Sequence, residues 1–144
     1  MIRKFELNDI DDVMKIWLDV NIQAHHFIKD AYWRDNYQKV KCMLPQSDIY
    51  VYCNENNEIQ GFIGLTGNYI AGIFIKTGSQ SQGIGKQLLT RAKQNNNSLT
   101  LSVYCKNNRA VNFYLREKFT ICSKQIDDNT GEEEFLMVWR PENN

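Results

Sequence analysis

The sequence predicts an α/β fold, with one mixed sheet of about seven strands flanked by about four helices. Short runs rich in β-branched and aromatic residues alternate with stretches whose apolar residues recur every three or four positions. In chain order these segments read β-α-α-β-β-β-α-β-α-β-β. No repeat interrupts them, and 144 residues suffice for one hydrophobic core, so we predict a single domain over residues 1–144.

The first third of the chain predicts one strand and two helices. Residues 2–6 alternate in the manner of a short strand. Asn8 or Asp9 can cap the first helix, because a short polar side chain there accepts a free backbone N–H. Its apolar stripe covers residues 10–18, and a second stripe over residues 33–44 is stopped by a proline.

The remainder of the chain predicts six strands and two helices. The strands are predicted at residues 48–53, 58–66, 69–75, 99–104, 119–124 and 134–139, and the helices from Ile84 and over residues 107–118. The first two of these strands form a hairpin across an asparagine-rich turn. The strand at 69–75, the helix after it and the strand at 99–104 predict a right-handed parallel crossover.

Residues 69–92, YIAGIFIKTGSQSQGIGKQLLTRA, combine a strand, a polar loop with glycines and a helix start. Such a helix start presents unpaired N–H groups and the positive end of the helix dipole, which favours phosphate binding. A Walker-A loop is excluded because Ile and Gly, rather than Lys and Ser or Thr, follow Gly83. A dinucleotide fingerprint is excluded because Leu88 replaces its third glycine. The pattern that remains is Gln80-x-x-Gly83-x-Gly85.

Composition excludes several other classes of protein. Seventeen basic residues balance seventeen acidic ones, so the net charge provides no attraction to nucleic acid or to a membrane surface. The four cysteines form no C-x-x-C pair and the two histidines are adjacent, which predicts free thiols and no metal site. The N-terminus lacks an apolar signal core, and no apolar run is long enough to span a membrane. We expect a cytoplasmic protein, either a monomer or a homodimer.

A second motif, CKNNRAVNFYLREKF, covers residues 105–119. It resembles the signature N-x-x-A-x-x-F-Y-x-x-x-G-F of the GNAT superfamily of N-acetyltransferases, whose positions are filled by Asn107, Ala110, Phe113, Tyr114 and Phe119. The loop at residues 80–85 and the order of elements also match, and small bacterial members of the superfamily resemble the whole chain most. The resemblance implies the GNAT-type acyl-CoA N-acyltransferase fold. It also implies acetyl transfer from acetyl-CoA to a primary amine, on a protein lysine or a small molecule, by direct attack.

Two positions depart from the family pattern. Gln80 opens the loop, where many members have an arginine that can contact phosphate, and Lys86 at the helix start can supply a cation instead. Lys118 replaces the glycine of the second motif. Because a lysine with positive φ is costly, we expect the end of that helix to be built differently.

The resemblance implies that acetyl-CoA, as co-substrate, lies against the strand and the loop. The backbone of Ile73, Phe74 and Ile75 would pair with the pantetheine arm, and an N–H near Phe74 or Ile75 would polarise the thioester carbonyl. The other implied cofactor contacts are Gln80, Ser81, Gln82, Gly83, Ile84, Gly85, Lys86, Asn107 and Phe113. For Asn107, the N-cap of the last helix is an equally good interpretation.

Tyr114 is the predicted catalytic residue, a general acid that protonates the departing thiolate. A phenol with an ordinary pKa of about 10 is protonated at neutral pH. The alternative is an aromatic core residue. The general base is left open among water relayed to a backbone carbonyl, Tyr69, Ser102 and His26.

The connection between the first two helices is predicted to contact the amine acceptor. The candidates are His25, His26, Phe27 and Tyr32. Imidazole titrates near neutrality, but an ordinary loop histidine is the favoured interpretation of His25 and His26. A rival function of another class is a non-catalytic acyl-CoA sensor or interaction module, which would keep the loop without needing a positioned Tyr114.

Overall fold

A computed structural model describes residues 1–142 as one mixed sheet with a pair of helices on each face. The strands are β1 (Ile2–Lys4), β2 (Asp48–Cys53), β3 (Ile59–Thr66), β4 (Tyr69–Ile75), β5 (Leu99–Tyr104), β6 (Thr120–Ile126) and β7 (Glu133–Trp139). The helices are α1 (Ile10–Ala24), α2 (Asp30–Met43), α3 (Ile84–Gln94) and α4 (Asn108–Arg116). The sheet order is β1-β2-β3-β4-β5-β7-β6. The predicted element order and the predicted fold class are therefore confirmed.

The start of α1 differs from the prediction. A single 3₁₀ turn at Leu7–Asp9 precedes the helix, and the Asp9 side chain does not cap it. Instead, the Asp9 carboxylate accepts two hydrogen bonds from the Arg3 guanidinium, at 2.8 and 3.0 Å. It also accepts one from the backbone N–H of Glu6. These bonds, that from Arg3 foremost, lower the pKa of Asp9, so the carboxylate ties β1 to the start of α1.

Each face of the sheet has its own core. On one face, α1 contributes Val13, Met14 and Trp17, which pack with residues of α2, β2 and β3. On the other face, Leu88 and Leu89 of α3 are fully buried among residues of β5 and α4. The helical stripes seen in the sequence are therefore the faces that cover the sheet, because burial of apolar area drives this packing.

Strands β4 and β5 separate soon after they meet. This is the only parallel pair among the strands of residues 1–142, and its register contains just Tyr69 with Thr100 and Ile70 with Leu101. On its other side, β4 stays paired with β3 as far as Ile75. The β5-facing backbone of the second half of β4 thus lacks a strand partner, and backbone groups in that state need another partner or water.

The end of α4 corrects the expectation about Lys118. The helix keeps the left-handed ending, and Lys118 occupies it with φ of 76°. The N–H of Lys118 bonds the carbonyl of Leu115, and the N–H of Phe119 bonds the carbonyl of Tyr114. This is a Schellman ending, so the lysine tolerates a conformation that costs about 1–2 kcal/mol for a residue with a side chain.

The structure also bears on disulfides, metal sites and membrane-spanning helices. All four cysteines are free. Within residues 1–142, no three His, Cys, Asp or Glu side chains gather as they would around a metal ion. In the same residues, every helix is too short or too polar to cross a membrane.

Candidate functional site

A cavity of about 800 Å³ lies where β4 and β5 separate, between the loop after β4 and helix α4. This volume is within the range of small-molecule sites, about 300–1,000 Å³. Of the residues implied by the family resemblance, those that line it are Ile73, Ile75, Gln80, Ser81, Gly83, Ile84, Gly85, Lys86, Asn107, Phe113 and Tyr114. The separated strands thus bring two distant motifs of the sequence to one cavity.

The loop between β4 and α3 is shaped to bind an anion. Gly78, Ser81 and Gly83 all have positive φ, at 93°, 65° and 79°, which is unusual for the serine. Gly83 is the N-cap of α3 and supplies no side-chain acceptor to the first N–H groups of the helix. Those N–H groups therefore remain available at the positive end of the helix dipole, beside the cavity.

Arg109 is a site residue that the sequence did not reveal. Its guanidinium reaches from α4 to the loop, where it donates to Gln80 Oε1 at 2.8 Å and to Ser81 Oγ at 3.1 Å. The Gln80 amide in turn donates to the carbonyl of Ile75 at 3.2 Å. Since Gln80 and Arg109 are 29 residues apart, no local pattern pairs them. Gln80 itself is uncharged, and the Arg109 guanidinium bound to it places a cation on the loop.

Tyr114 lies deep in the same cavity. The residue is only 7% exposed, and its ring is held between Phe113 and Phe119, with ring centroids at 5.3 and 5.5 Å. Burial, with a smaller contribution from Tyr69, raises the pKa of Tyr114. Within residues 1–142 its hydroxyl has no hydrogen-bond partner, so its proton is free for a ligand in the cavity.

Asn107 joins the cavity to the connection between α1 and α2. Its Oδ1 accepts the backbone N–H of Ala110 at 3.3 Å, so it caps α4, and its Nδ2 lies 3.2 Å from His25 Nε2. An amide nitrogen only donates hydrogen bonds. The imidazole nitrogen must therefore accept, which makes His25 neutral with its proton on Nδ1. Burial lowers the pKa of His25 to about 4, in agreement with a neutral imidazole.

Aromatic rings surround His25. It stacks on Trp33 with ring centroids 5.3 Å apart, and it contacts Tyr104 and Phe27 edge-on at 5.0 and 5.7 Å. Tyr32 packs edge-on against Trp33 at 4.9 Å. This cluster is formed by the α1–α2 connection, the first turn of α2 and the end of β5, and it lies beside the cavity because Asn107 links the two. His25 is part of its interior, whereas its neighbour His26 is exposed.

Two predicted cofactor residues do not line the cavity. The ring of Phe74 stacks on Phe62 in the core under α1, which leaves only its backbone facing the space between β4 and β5. Gln82 is exposed, and its amide makes a long contact of 3.5 Å to the carbonyl of Gly78. Several cavity residues were also missed, and besides Arg109 these include Val20, Gln23, Ala24, Lys106 and Arg116.

Comparisons with known proteins match this geometry. Residues 45–121 match the family model of the acetyltransferase (GNAT) domain. The chain is 31% identical over 141 residues to the peptidyl-lysine N-acetyltransferase YiaC of Escherichia coli (strain K12), covering 96% of each chain. The chain belongs to the GNAT acetyltransferase family. The predicted resemblance to small bacterial members of this family is thereby confirmed.

Solved structures of GNAT proteins share the fold. The solution structure of apo YjaB from Escherichia coli superposes with a TM-score of 0.85 at 24% identity, covering 96% of this chain and 95% of that one. The PaiA N-acetyltransferase of Thermoplasma acidophilum, solved with coenzyme A, gives 0.77 at 18% identity and 98% coverage of both chains. These structures show the shared fold, and the family match together with the YiaC relative makes this GNAT chain an N-acetyltransferase with acetyl-CoA as its co-substrate.

Proposed function

We propose that this GNAT enzyme acetylates lysine side chains of proteins, with the amine attacking acetyl-CoA directly. The observation that carries the proposal is the position of Tyr114, whose unpaired hydroxyl shares one cavity with the anion-binding loop and the separated end of β4. The name of its relative YiaC supports a peptidyl-lysine acceptor. In this arrangement the Gly83 helix start and Arg109 hold the pyrophosphate, and the backbone of residues 73–75 holds the pantetheine.

The proposed reaction consists of three events at the thioester. A neutral amine adds to the carbonyl carbon, and a backbone N–H of β4 stabilises the oxygen as it becomes negative. The carbon–sulfur bond then breaks, leaving the acetyl group on nitrogen. The thiolate takes a proton from Tyr114. The nitrogen releases one proton to solvent, and solvent returns one proton to the Tyr114 phenolate, which closes the cycle. Burial raises the pKa of Tyr114, so the phenol is protonated at neutral pH and holds the proton that the thiolate takes.

The proton acceptor for the incoming ammonium is not His25. Its Nε2 already accepts the Asn107 amide, and a pKa of about 4 makes it a weak base. An alkylammonium of pKa about 10.4 needs a stronger acceptor or a water chain. Tyr69, which is close enough to raise the pKa of Tyr114, and water bound to β4 carbonyls are the groups through which we propose this proton leaves.

The substitution Tyr114→Phe tests the proposal. It removes one oxygen and keeps the ring that packs on Phe113 and Phe119. We expect kcat with a lysine peptide to fall by about tenfold or more, with acetyl-CoA affinity unchanged. Tyr37→Phe is the matched control, because Tyr37 lies on α2 against Trp17. Unchanged turnover in Tyr114→Phe would remove Tyr114 from the mechanism.

Calorimetric titration with acetyl-CoA, followed by thiol release with lysine peptides, separates the enzyme from a non-catalytic acyl-CoA sensor. Binding with thiol release supports the proposed function. Binding without release from any amine favours the sensor.

We further propose that the protein acts in the cytoplasm, as a monomer or homodimer with no nucleic-acid or membrane partner. Its four free cysteines suit a reducing compartment.

A further inference from the structure

Lys93 links the two helices that contribute to the cavity on this face of the sheet. Its ammonium reaches from the last turn of α3 to the end of α4, where it donates to the carbonyl of Glu117 at 2.6 Å. Glu117 is the C-cap of α4, so the cation meets the negative end of the helix dipole. Lys93 belongs to neither sequence motif, and the proposed mechanism makes no use of it.

Two aromatic rings hold the Lys93 ammonium in place. It lies 5.2 Å from the centre of the Trp139 ring and 5.9 Å from the centre of the Phe119 ring. Both distances are within the range of a cation–π interaction. Burial lowers the pKa of Lys93, because the ammonium is partly withdrawn from water. The ammonium is therefore fixed between the end of β7 and the end of α4.

Glu117 and Phe119, which Lys93 contacts, are both in direct contact with Tyr114. The carbonyl of Tyr114 accepts the backbone N–H of Glu117 at 3.1 Å and that of Phe119 at 3.0 Å. The Phe119 ring also packs on the Tyr114 ring, with centroids 5.5 Å apart. A displacement of Glu117 or Phe119 would therefore shift the backbone and the ring of Tyr114.

The end of α4 depends on such contacts because its backbone is strained. Lys118, between Glu117 and Phe119, has φ of 76°, the left-handed conformation that residues with a side chain disfavour. A strained residue keeps its conformation only where the surrounding structure holds it. Lys93 supplies a contact on each side of Lys118, to the preceding carbonyl and to the following ring.

We propose that Lys93 is a positioning residue for acetyl transfer, because it holds the end of α4 so that Tyr114 presents its hydroxyl to the thiolate. This inference rests on the proposed function, since it takes Tyr114 as the general acid. Lys93 does not line the cavity, so it acts only through Glu117 and Phe119. Its loss should therefore slow the transfer and leave acetyl-CoA binding unchanged.

Steady-state acetyl transfer to a lysine peptide by Lys93→Met, Tyr114→Phe and the double variant tests this role. Lys93→Met should lower kcat about three- to tenfold, because a displaced acid transfers its proton less well, while the KM for acetyl-CoA stays unchanged. In the Tyr114→Phe background it should cause no further loss, since the hydroxyl that Lys93 positions is absent. Lys93→Arg should keep most of the wild-type kcat, because arginine retains a cation and its donors. Lys39→Met, at an exposed position of α2, is the matched control.

The outcomes distinguish this inference from the proposed function. Unchanged turnover in Tyr114→Phe overturns both. Reduced turnover in Tyr114→Phe, together with a Lys93→Met enzyme that matches Lys39→Met, overturns only the inference about Lys93. An equal loss of kcat from Lys93→Met with and without the Tyr114 hydroxyl also overturns it, because Lys93 would then act on the fold as a whole. If Lys93→Met does not fold, Lys93→Gln, which keeps a donor and removes the charge, replaces it in the same comparison.

A second check uses the strain at Lys118. Glycine adopts positive φ without strain, so the end of α4 in Lys118→Gly should depend less on Lys93. Lys93→Met should therefore lower kcat less in the Lys118→Gly background than in the wild type. An equal fall of kcat in both backgrounds would contradict the proposal that Lys93 acts by holding this helix end.

Discussion

The buried imidazole of His25 makes the stability of the protein depend on pH. The folded state holds the pKa of His25 at about 4, mainly through burial, whereas an unfolded chain has the ordinary value of 6.5. As pH falls from 6.5 towards 4, the unfolded state therefore binds the proton first. Folding stability from this group is fully present above pH 6.5 and is lost progressively as pH falls to 4.

The magnitude follows from the difference between the two pKa values. Integrating the linkage between pH 8 and pH 4.5 gives a loss of about 2.5 kcal/mol in the free energy of unfolding. The substitution His25→Gln removes the titration and keeps an acceptor oxygen for the Asn107 amide. Between pH 8 and pH 4.5, the free energy of unfolding of this variant should therefore fall by about 2.5 kcal/mol less than that of the wild type.

Urea unfolding at a series of pH values measures this difference directly. His26→Gln is the control, because it makes the same substitution at the exposed neighbouring residue. Carboxylates that titrate in the same range affect all three proteins equally and cancel in the comparison. If the curves of His25→Gln and the wild type run parallel from pH 8 to pH 4.5, the argument that His25 is buried as a neutral acceptor is wrong.

Three further predictions concern the loop and helix α4. Lys118→Gly should raise the free energy of unfolding by about 0.5–1 kcal/mol, because glycine adopts φ of 76° without strain. Calorimetry would measure this gain, and an equal gain from Lys118→Ala would contradict the explanation by backbone strain. Arg109→Ala should weaken acetyl-CoA binding about five- to tenfold, most at low salt, whereas Arg34→Ala on exposed α2 should not. Gly83→Ala should destabilise the protein by about 1–2 kcal/mol, since Gly83 has φ of 79°, and it should also weaken acetyl-CoA binding. Urea unfolding would measure the stability and calorimetric titration the binding, and an unchanged stability would refute the strain argument.

The sequence could predict what local pattern controls. The helical stripes and strand runs gave the element order because the 3.6- and two-residue periods follow from backbone geometry. Asp9 is the N-cap residue of α1, as predicted, but the role of its side chain was misjudged because the residue was considered only as a helix cap. In the structure it has a stronger partner in Arg3, whose guanidinium bonds both carboxylate oxygens. At Lys118 the expectation followed the local preference of lysine against positive φ, whereas the fold imposes φ of 76° on this residue.

The candidate site was predictable only as far as motifs reach. The family resemblance placed the loop and Tyr114, and the structure brings both to one cavity. The contacts of Arg109 with Gln80 and of Asn107 with His25 join residues 29 and 82 positions apart. Such pairs depend on how far β4 and β5 separate and on where α4 then lies. Neither quantity leaves a periodic trace in the sequence.

The net charge of the chain gave no indication of the charge of the cavity, because it sums over surfaces that the fold keeps apart. The whole chain carries a formal charge of zero, yet the cavity lining contains four cationic side chains and one carboxylate, namely Lys86, Lys106, Arg109, Arg116 and Glu117. A cofactor rich in phosphate meets a locally positive site. Asp127 and Glu132, in the turn between β6 and β7, carry the opposite sign and lie outside this lining. A net charge of zero therefore hides a cationic cavity beside an acidic turn, and Lys106 joins the two, because it lines the cavity while its ammonium lies 2.9 Å from Glu132 Oε1.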